Sequence, residues 1–247
     1  MMEKLPVFVG RVLVCEDNLT NQFIIENDLK AVGLQVDVAK NGQVAVAMVM
    51  EKYTKRQLSY DLILMDILMP IMDGIKAATL IHEGGIKTPI VAMSGDVLAE
   101  SKADLLAIGI RETLPKPYEK EALWALLERY LIALDSRSQQ VLPETQAAEG
   151  ENDAAIKAKV AERFLFHNRT KYQEIEQAIH HGDLVTAHRL AHSLKGVAGM
   201  LDLYDLQAKA MVVEAVLAKQ EIPTLQDLQE LKVVLAAAVD EMAAALP

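Results

Sequence analysis

Short apolar runs alternate with longer amphipathic ones from residue 11 to residue 134. RVLVC (11–15), LQVDVA (34–39), DLILM (61–65), PIVAMS (89–94) and IRETL (110–114) predict five strands. Stretches near 19–32, 43–52, 75–83, 97–107 and 119–134 predict helices. The strands are more often continuous apolar runs than alternating ones, the pattern of a parallel sheet covered on both faces. Regular strand–helix alternation implies a doubly wound α/β domain. In such folds ligands sit beyond the carboxyl ends of the strands, where strand order reverses.

The pattern changes after residue 135. SRSQQVLPETQAAEGEN (136–152) is polar, holds Pro143 and Gly150, and has no apolar period. It reads as a flexible linker that would span about 20–25 Å as a coil. From residue 153 onward no strand signal remains, and helices are predicted at 154–166, 170–181, 184–200, 203–219 and 224–246. Asp183 and Thr224 suit helix N-caps, and Gly182 suits a terminator. The last helix carries Leu225, Leu228, Leu231, Leu235, Val239, Met242 and Leu246 at helical spacing. An antiparallel helical bundle over 153–247 follows, behind a tail at 1–8 and a sheet domain at 9–135.

Charge and composition narrow the function. Net charge is −5 over 1–135 and −3 over 153–247, so no part is basic enough to track a phosphate backbone, and no nucleic-acid partner is expected. The single cysteine, Cys15, rules out an internal disulfide and fits a reducing compartment. No run of 18 uncharged apolar residues occurs, so no direct membrane insertion is expected and the chain reads as cytoplasmic. The opening MMEKLPVF is compatible with a piece of something longer.

Candidate chemistry falls at the strand ends. Glu16 and Asp17 follow Cys15, Asp66 follows Met65, Ser94 ends the fourth strand and Lys116 follows the fifth. In a parallel sheet these ends share one edge. Three acids at close range cannot all stay ionised without a cation, and clustered hard oxygens suit Mg²⁺. A single such acid would be no more than an N-cap, which is an unlikely explanation for five polar groups at successive strand ends.

VCEDNLTNQ, MDILMPIMDG, AMSGD and LPKPY resemble, in order and spacing, the four signatures of response-regulator receiver domains, which have a flavodoxin-like five-stranded sheet. The resemblance implies that Asp66 accepts a phosphoryl group as an acyl phosphate. It also implies that Glu16, Asp17, Asp66 and the Leu68 backbone carbonyl hold Mg²⁺. Lys116 and Ser94 would contact phosphoryl oxygens, Gly95 would leave room for them, and Lys116-Pro117 would be cis. Two positions depart from the family. Thr113 stands where receivers usually have Tyr or Phe, so no aromatic switch is expected, and Leu68 is apolar where many receivers are polar.

The run RLAHSLKGVAGM (189–200) poses a separate problem. It reads as a helix, yet Gly196 and Gly199 each cost about 1 kcal/mol against alanine there. Leu190, Leu194, Val197 and Leu201 form its core stripe, which turns His192 outward, with Lys195, His188 and Arg189 beside it and both glycines on that face. The glycines look like clearance for a partner. HSLKGVAGML also resembles the signature of histidine phosphotransfer (HPt) domains, four-helix bundles; here an extra N-terminal helix is expected. That resemblance implies that His192 carries phosphate, that Lys195 assists, and that Gly196 and Gly199 permit docking. A zinc site on His188 and His192 lacks further ligands.

The two resemblances together imply a phosphorelay protein. Asp66 would take phosphate from an upstream histidine kinase and exchange it with His192, which would pass it to a downstream receiver. No Gly-rich nucleotide-binding segment is present, so ATP should not phosphorylate the chain by itself. The expected context is the C-terminal part of a hybrid sensor kinase, the cytoplasmic part of one if that kinase is membrane-bound, with a free-standing relay protein or a phosphorylation-independent docking adaptor as alternatives. An aspartyl-nucleophile phosphohydrolase would want an acid where Leu68 stands. Leu68 is expected to shield the acyl phosphate, so Leu68→Asn should lose radiolabelled phosphate faster than the parent; equal lifetimes would remove that role.

Overall fold

A computed structural model describes residues 5–55, 59–95, 102–133, 153–244 and 246. The chain divides into two compact units, one built on a sheet and one on helices. The expected linker, 136–152, lies outside the described residues.

The sheet unit runs β1 (Phe8–Val9), β2 (Arg11–Cys15), α1 (Leu19–Ala31), β3 (Gln35–Ala39), α2 (Gly42–Thr54), β4 (Leu62–Asp66), α3 (Gly74–Glu83), β5 (Ile90–Ser94), α4 (Lys102–Ala107), β6 (Thr113–Pro115), α5 (Lys120–Tyr130) and β7 (Ile132–Ala133). Five parallel strands form a sheet in the order β3-β2-β4-β5-β6. Every residue of β4 and β5 is buried, as the continuous apolar runs predict. The pleat divides the core in two. Leu13, Ile63, Met65 and Ala92 pack with Ala45, Val49, Ala78 and Ile81 of α2 and α3. Val12, Val14, Leu64 and Met93 pack with Ile25, Leu29, Leu123 and Leu127 of α1 and α5. The chain reverses direction across the sheet between β2 and β4, so the crevice opens at Cys15 and Asp66.

Three details differ from the pattern-based expectation. The last core strand begins at Thr113 rather than 110, because Ile110 still belongs to the end of α4: its N–H reaches the Leu105 carbonyl after Gly109 turns at φ +88°. Phe8 is not a tail residue. It is buried against Leu29 and Leu126 and pairs, with Val9, against Ile132 and Ala133 in a two-stranded antiparallel ribbon. Two residues are too few to show a period, and α5 accordingly stops at Tyr130 rather than 134.

The helical unit consists of α6 (Asp153–Asn168), α7 (Lys171–His180), α8 (Leu184–Met200), α9 (Tyr204–Ala218) and α10 (Leu225–Ala244). α8 packs on α7 and α9, and α10 packs on α9 and α6. Phe164, Ile175, Leu194, Val197, Val213, Leu217, Leu231 and Leu235 share its core. Gly182 takes φ +76° after α7, and Asp183 Oδ1 accepts from Thr186 N at 3.0 Å, so one helix stops and the next starts within three residues. Thr224 and Asp227 cap α10 reciprocally: Thr224 Oγ1 accepts from Asp227 N, and Asp227 Oδ2 accepts from Thr224 N. Leu225 departs from the expected stripe: it sits in the first turn of α10 and is 87% exposed; Leu246 lies beyond the end of α10. Among the described residues no helix is long and apolar enough to cross a membrane. Asp183→Ala should destabilise the helical unit by about 1 kcal/mol in urea unfolding, the usual cost of a lost N-cap.

Candidate functional site

The carboxyl ends of β2, β4, β5 and β6 bring together the expected acids, the hydroxyl and the lysine. Glu16, Asp17 and Asp66 each offer a carboxylate oxygen, and these lie within 4.8 Å of one another. The Lys116 ammonium stands 2.5 Å from Glu16 Oε2 and 2.8 Å from Asp66 Oδ2, with all three side chains 2% exposed. Lys116 N donates to the Ser94 carbonyl at 2.7 Å, which ties the lysine's backbone to β5. Ser94 itself is buried, and Lys116-Pro117 is cis. Leu68, half-buried, donates from its N–H to Asp66 Oδ1 at 3.2 Å.

The helix-capping explanation for these acids fails on inspection. Asn18, not Asp17, accepts from the Thr20 and Asn21 amides at the start of α1. Asp73, not Asp66, caps α3 by accepting from Lys76 N at 2.7 Å. Asp17 and Asp66 are therefore not needed as caps. Gly74 sits so close to the Asp66 carbonyl that any Cβ there would collide with backbone, which explains the glycine after Asp73.

Three carboxylates share one ammonium in the cluster. Burial, with Asp66 and Asp17 adding to it and Lys116 opposing, pushes Glu16 from its ordinary 4.5 up to about 7. For Lys116 burial pulls the other way, but Asp66 and Glu16 together outweigh it and hold the ammonium protonated. Hard carboxylate oxygens at this spacing are the donor set a small divalent cation takes.

In the helical unit, α8 runs unbroken through Gly196 and Gly199. His192, however, is not a freely solvated imidazole. Its Nδ1 stands 2.5 Å from Glu214 Oε1 on α9. Lys195 Nζ stands 2.5 Å from Glu214 Oε2, so one carboxylate holds both groups. Burial would raise Glu214, yet His192 and Lys195 outweigh it and keep it below the ordinary carboxylate range. His188 is pulled below the usual imidazole value, by burial first and by His192 and Lys195 after it, with Glu214 opposing. Arg189 lies within the field of Glu174 on α7 and of Asp183, towards the start of α8.

The motifs of the chain do not single out Glu214. It was detectable in principle: in AKAMVVEAVLA it is one carboxylate amid an apolar helix, four residues after buried Ala210 and three before buried Leu217. A Cβ on Gly196 would meet no described atom of residues 153–247 beyond its own helix, so close helix packing does not demand the glycine.

Comparison with known proteins matches residues 12–128 to the response regulator receiver domain and residues 159–246 to the Hpt domain. Two-component response regulator ORR41 of Oryza sativa is 39% identical over 125 residues, 50% of this chain and 95% of that protein. Signal transduction histidine-protein kinase BarA of Escherichia coli is 37% identical over 135 residues, 54% of this chain but 14% of the kinase, so the chain spans a small part of that longer relative. The receiver domain of sensor histidine kinase PA1611 from Pseudomonas aeruginosa, solved with magnesium in its active site cleft, is 32% identical with a TM-score of 0.43, over 49% of this chain and 96% of that one.

The Glu16 shift sets a pH signature. A carboxyl whose folded value lies above its unfolded one binds more protons when folded, so stability falls as pH rises from about 4.5 to about 7. Without divalent ions the thermal midpoint should drop across that window, and millimolar Mg²⁺ should remove the drop. A midpoint indifferent to Mg²⁺ would contradict the charge deficit.

Proposed function

The chain belongs to the response regulator receiver family through its first domain and to the Hpt family through its second, and on that premise we propose that one phosphoryl group travels between Asp66 and His192. The receiver would extend over 9–135 and the phosphotransfer domain over 153–247, joined by 136–152. The observation that carries the reading is the cluster of buried Glu16, Asp66 and Lys116 with half-buried Asp17, a nucleophilic carboxylate with a cation and two further acids at hand.

Glu16, Asp17 and Asp66 fit a Mg²⁺ ion, with the Leu68 carbonyl as a further ligand. The bound ion would neutralise charge on the incoming phosphoryl oxygens. An Asp66 carboxylate oxygen attacks the phosphorus of a donor phosphohistidine in line. The P–N bond breaks, and its electron pair stays with the donor imidazole. Lys116 and Ser94 then hold phosphoryl oxygens, so catalysis is positioning and charge neutralisation. Leu68 covers the acyl phosphate against water.

At the second station Glu214 accepts from Nδ1–H, which leaves the Nε2 lone pair as the nucleophile. Nε2 attacks the aspartyl phosphate, the P–O bond breaks and the Asp66 carboxylate returns. The phosphorylated ring gains positive character, which the ionised Glu214 stabilises, while Lys195 faces the phosphoryl oxygens. His188, Arg189, Gly196 and Gly199 belong to the docking face. The same chemistry runs in reverse. The partners are a histidine kinase upstream and a receiver domain downstream, in the cytoplasm, and the chain would work as the output end of a hybrid sensor kinase.

With labelled acetyl phosphate and Mg²⁺, Asp66→Asn should abolish labelling of both stations, and His192→Gln should leave label on Asp66 alone. Label reaching neither residue of the parent would sink the reading. Glu214→Gln keeps a hydrogen-bonding group but loses the charge, so transfer to His192 should slow about tenfold, the worth of a charge-assisted bond over a neutral one.

A further inference from the structure

Asp28 lies on α1, yet both oxygens of its buried carboxylate are occupied by the segment that follows Lys116. Oδ2 accepts from the Tyr118 hydroxyl at 3.2 Å, and Oδ1 pairs with the Lys120 ammonium at 2.9 Å. The Lys120 side chain is 64% exposed, so that pair is screened by water and weak. The Tyr118 contact is the enclosed one, since the ring packs on the core beneath α1 and α5. Burial, and then the Asp28 charge, raise the phenol well above its ordinary range. It therefore stays a donor at every pH where a relay would operate.

The turn between β6 and α5 is thereby held at two points. At its start the Lys116 amide is fixed to the Ser94 carbonyl; two residues later Tyr118 is fixed to α1. A lysine side chain is a long flexible stem, so where its ammonium rests depends on where its backbone is held. Gln22, six residues before Asp28 on the same helix, donates from Nε2 to the Glu16 carbonyl at 2.6 Å. One helix thus braces the acidic flank and the cationic flank of the cleft.

On the reading that Lys116 contacts the phosphoryl group, we propose that Asp28, acting through the Tyr118 hydroxyl, is a positioning residue for Lys116. Neither residue touches the reacting atoms. Their effect passes through the backbone of the turn, and small misplacements of a catalytic group are costly in rate.

The test follows labelling of Asp66 by acetyl phosphate and Mg²⁺ in the full chain carrying His192→Gln, so that label stays on the aspartate. Tyr118→Phe removes the hydroxyl and keeps the ring. The labelling rate should fall about 3- to 10-fold, the size of one hydrogen bond, while Mg²⁺ affinity stays within about twofold. Asp28→Leu should match it, Asp28→Asn, which still accepts from the phenol, should restore most of the rate, and Lys120→Ala should change little. With Lys116→Ala already present, Tyr118→Phe should cost nothing further, because the two act as one unit. A parental rate in Tyr118→Phe, or the same loss in the Lys116→Ala background, overturns the proposal. An Asp66→Asn chain that labels like the parent overturns instead the phosphoacceptor reading on which it rests.

Discussion

The ammonium of Lys116, enclosed between Glu16 and Asp66, is the interaction on which the acidic cleft depends. Parallel pairing of β2 with β4 forces Glu16, Asp17 and Asp66 to one edge, where burial and mutual repulsion would otherwise drive protons onto them. Removing one partner of such a buried pair leaves an uncompensated charge. Its single positive charge does not satisfy three carboxylates. Burial first, and then the Asp66 and Asp17 charges, push Glu16 upward against Lys116, and three carboxylates around one ammonium make a divalent ion a fitting occupant.

The helical unit uses the complementary arrangement. There one carboxylate, Glu214, stands between an imidazole and an ammonium. In the cleft the acids outnumber the cation; on α8 the basic groups outnumber the acid. On the proposed relay a phosphoryl group would bring negative charge to either place, so each would need positive charge at the point of arrival. A divalent ion and Lys116 would supply it at the aspartate, and Lys195 and the phosphorylated ring would supply it at the histidine.

Backbone placement matters as much as charge. Asp66 ends a strand buried along its length, and Gly74 lets the following helix press against its carbonyl. Lys116 is held through its amide by β5 and through its neighbours by α1. On α8, by contrast, the glycines leave the face beside His192 without side chains, and the packing of the bundle gives no reason for the one at 196.

The chain's own pattern determined the two-unit organisation, four of the five core strands to within a residue, and the acids, hydroxyl and lysine at their ends. It could do so because strands buried on both faces are continuous apolar runs, and in a parallel sheet their carboxyl ends necessarily meet. The order of α8 residues likewise set His192, Lys195 and the two glycines on one face through helical geometry alone. What only the tertiary structure decided is which side chains of other elements reach these groups. Glu214 meets His192 across 22 residues and Asp28 meets Tyr118 across 90, and the Phe8 ribbon pairs with a strand at the far end of its unit. Periodicity reports which face of an element is buried, not which neighbour it is buried against. A solvated histidine was therefore the natural expectation, and a histidine clasped by a carboxylate from the next helix is what packing produced.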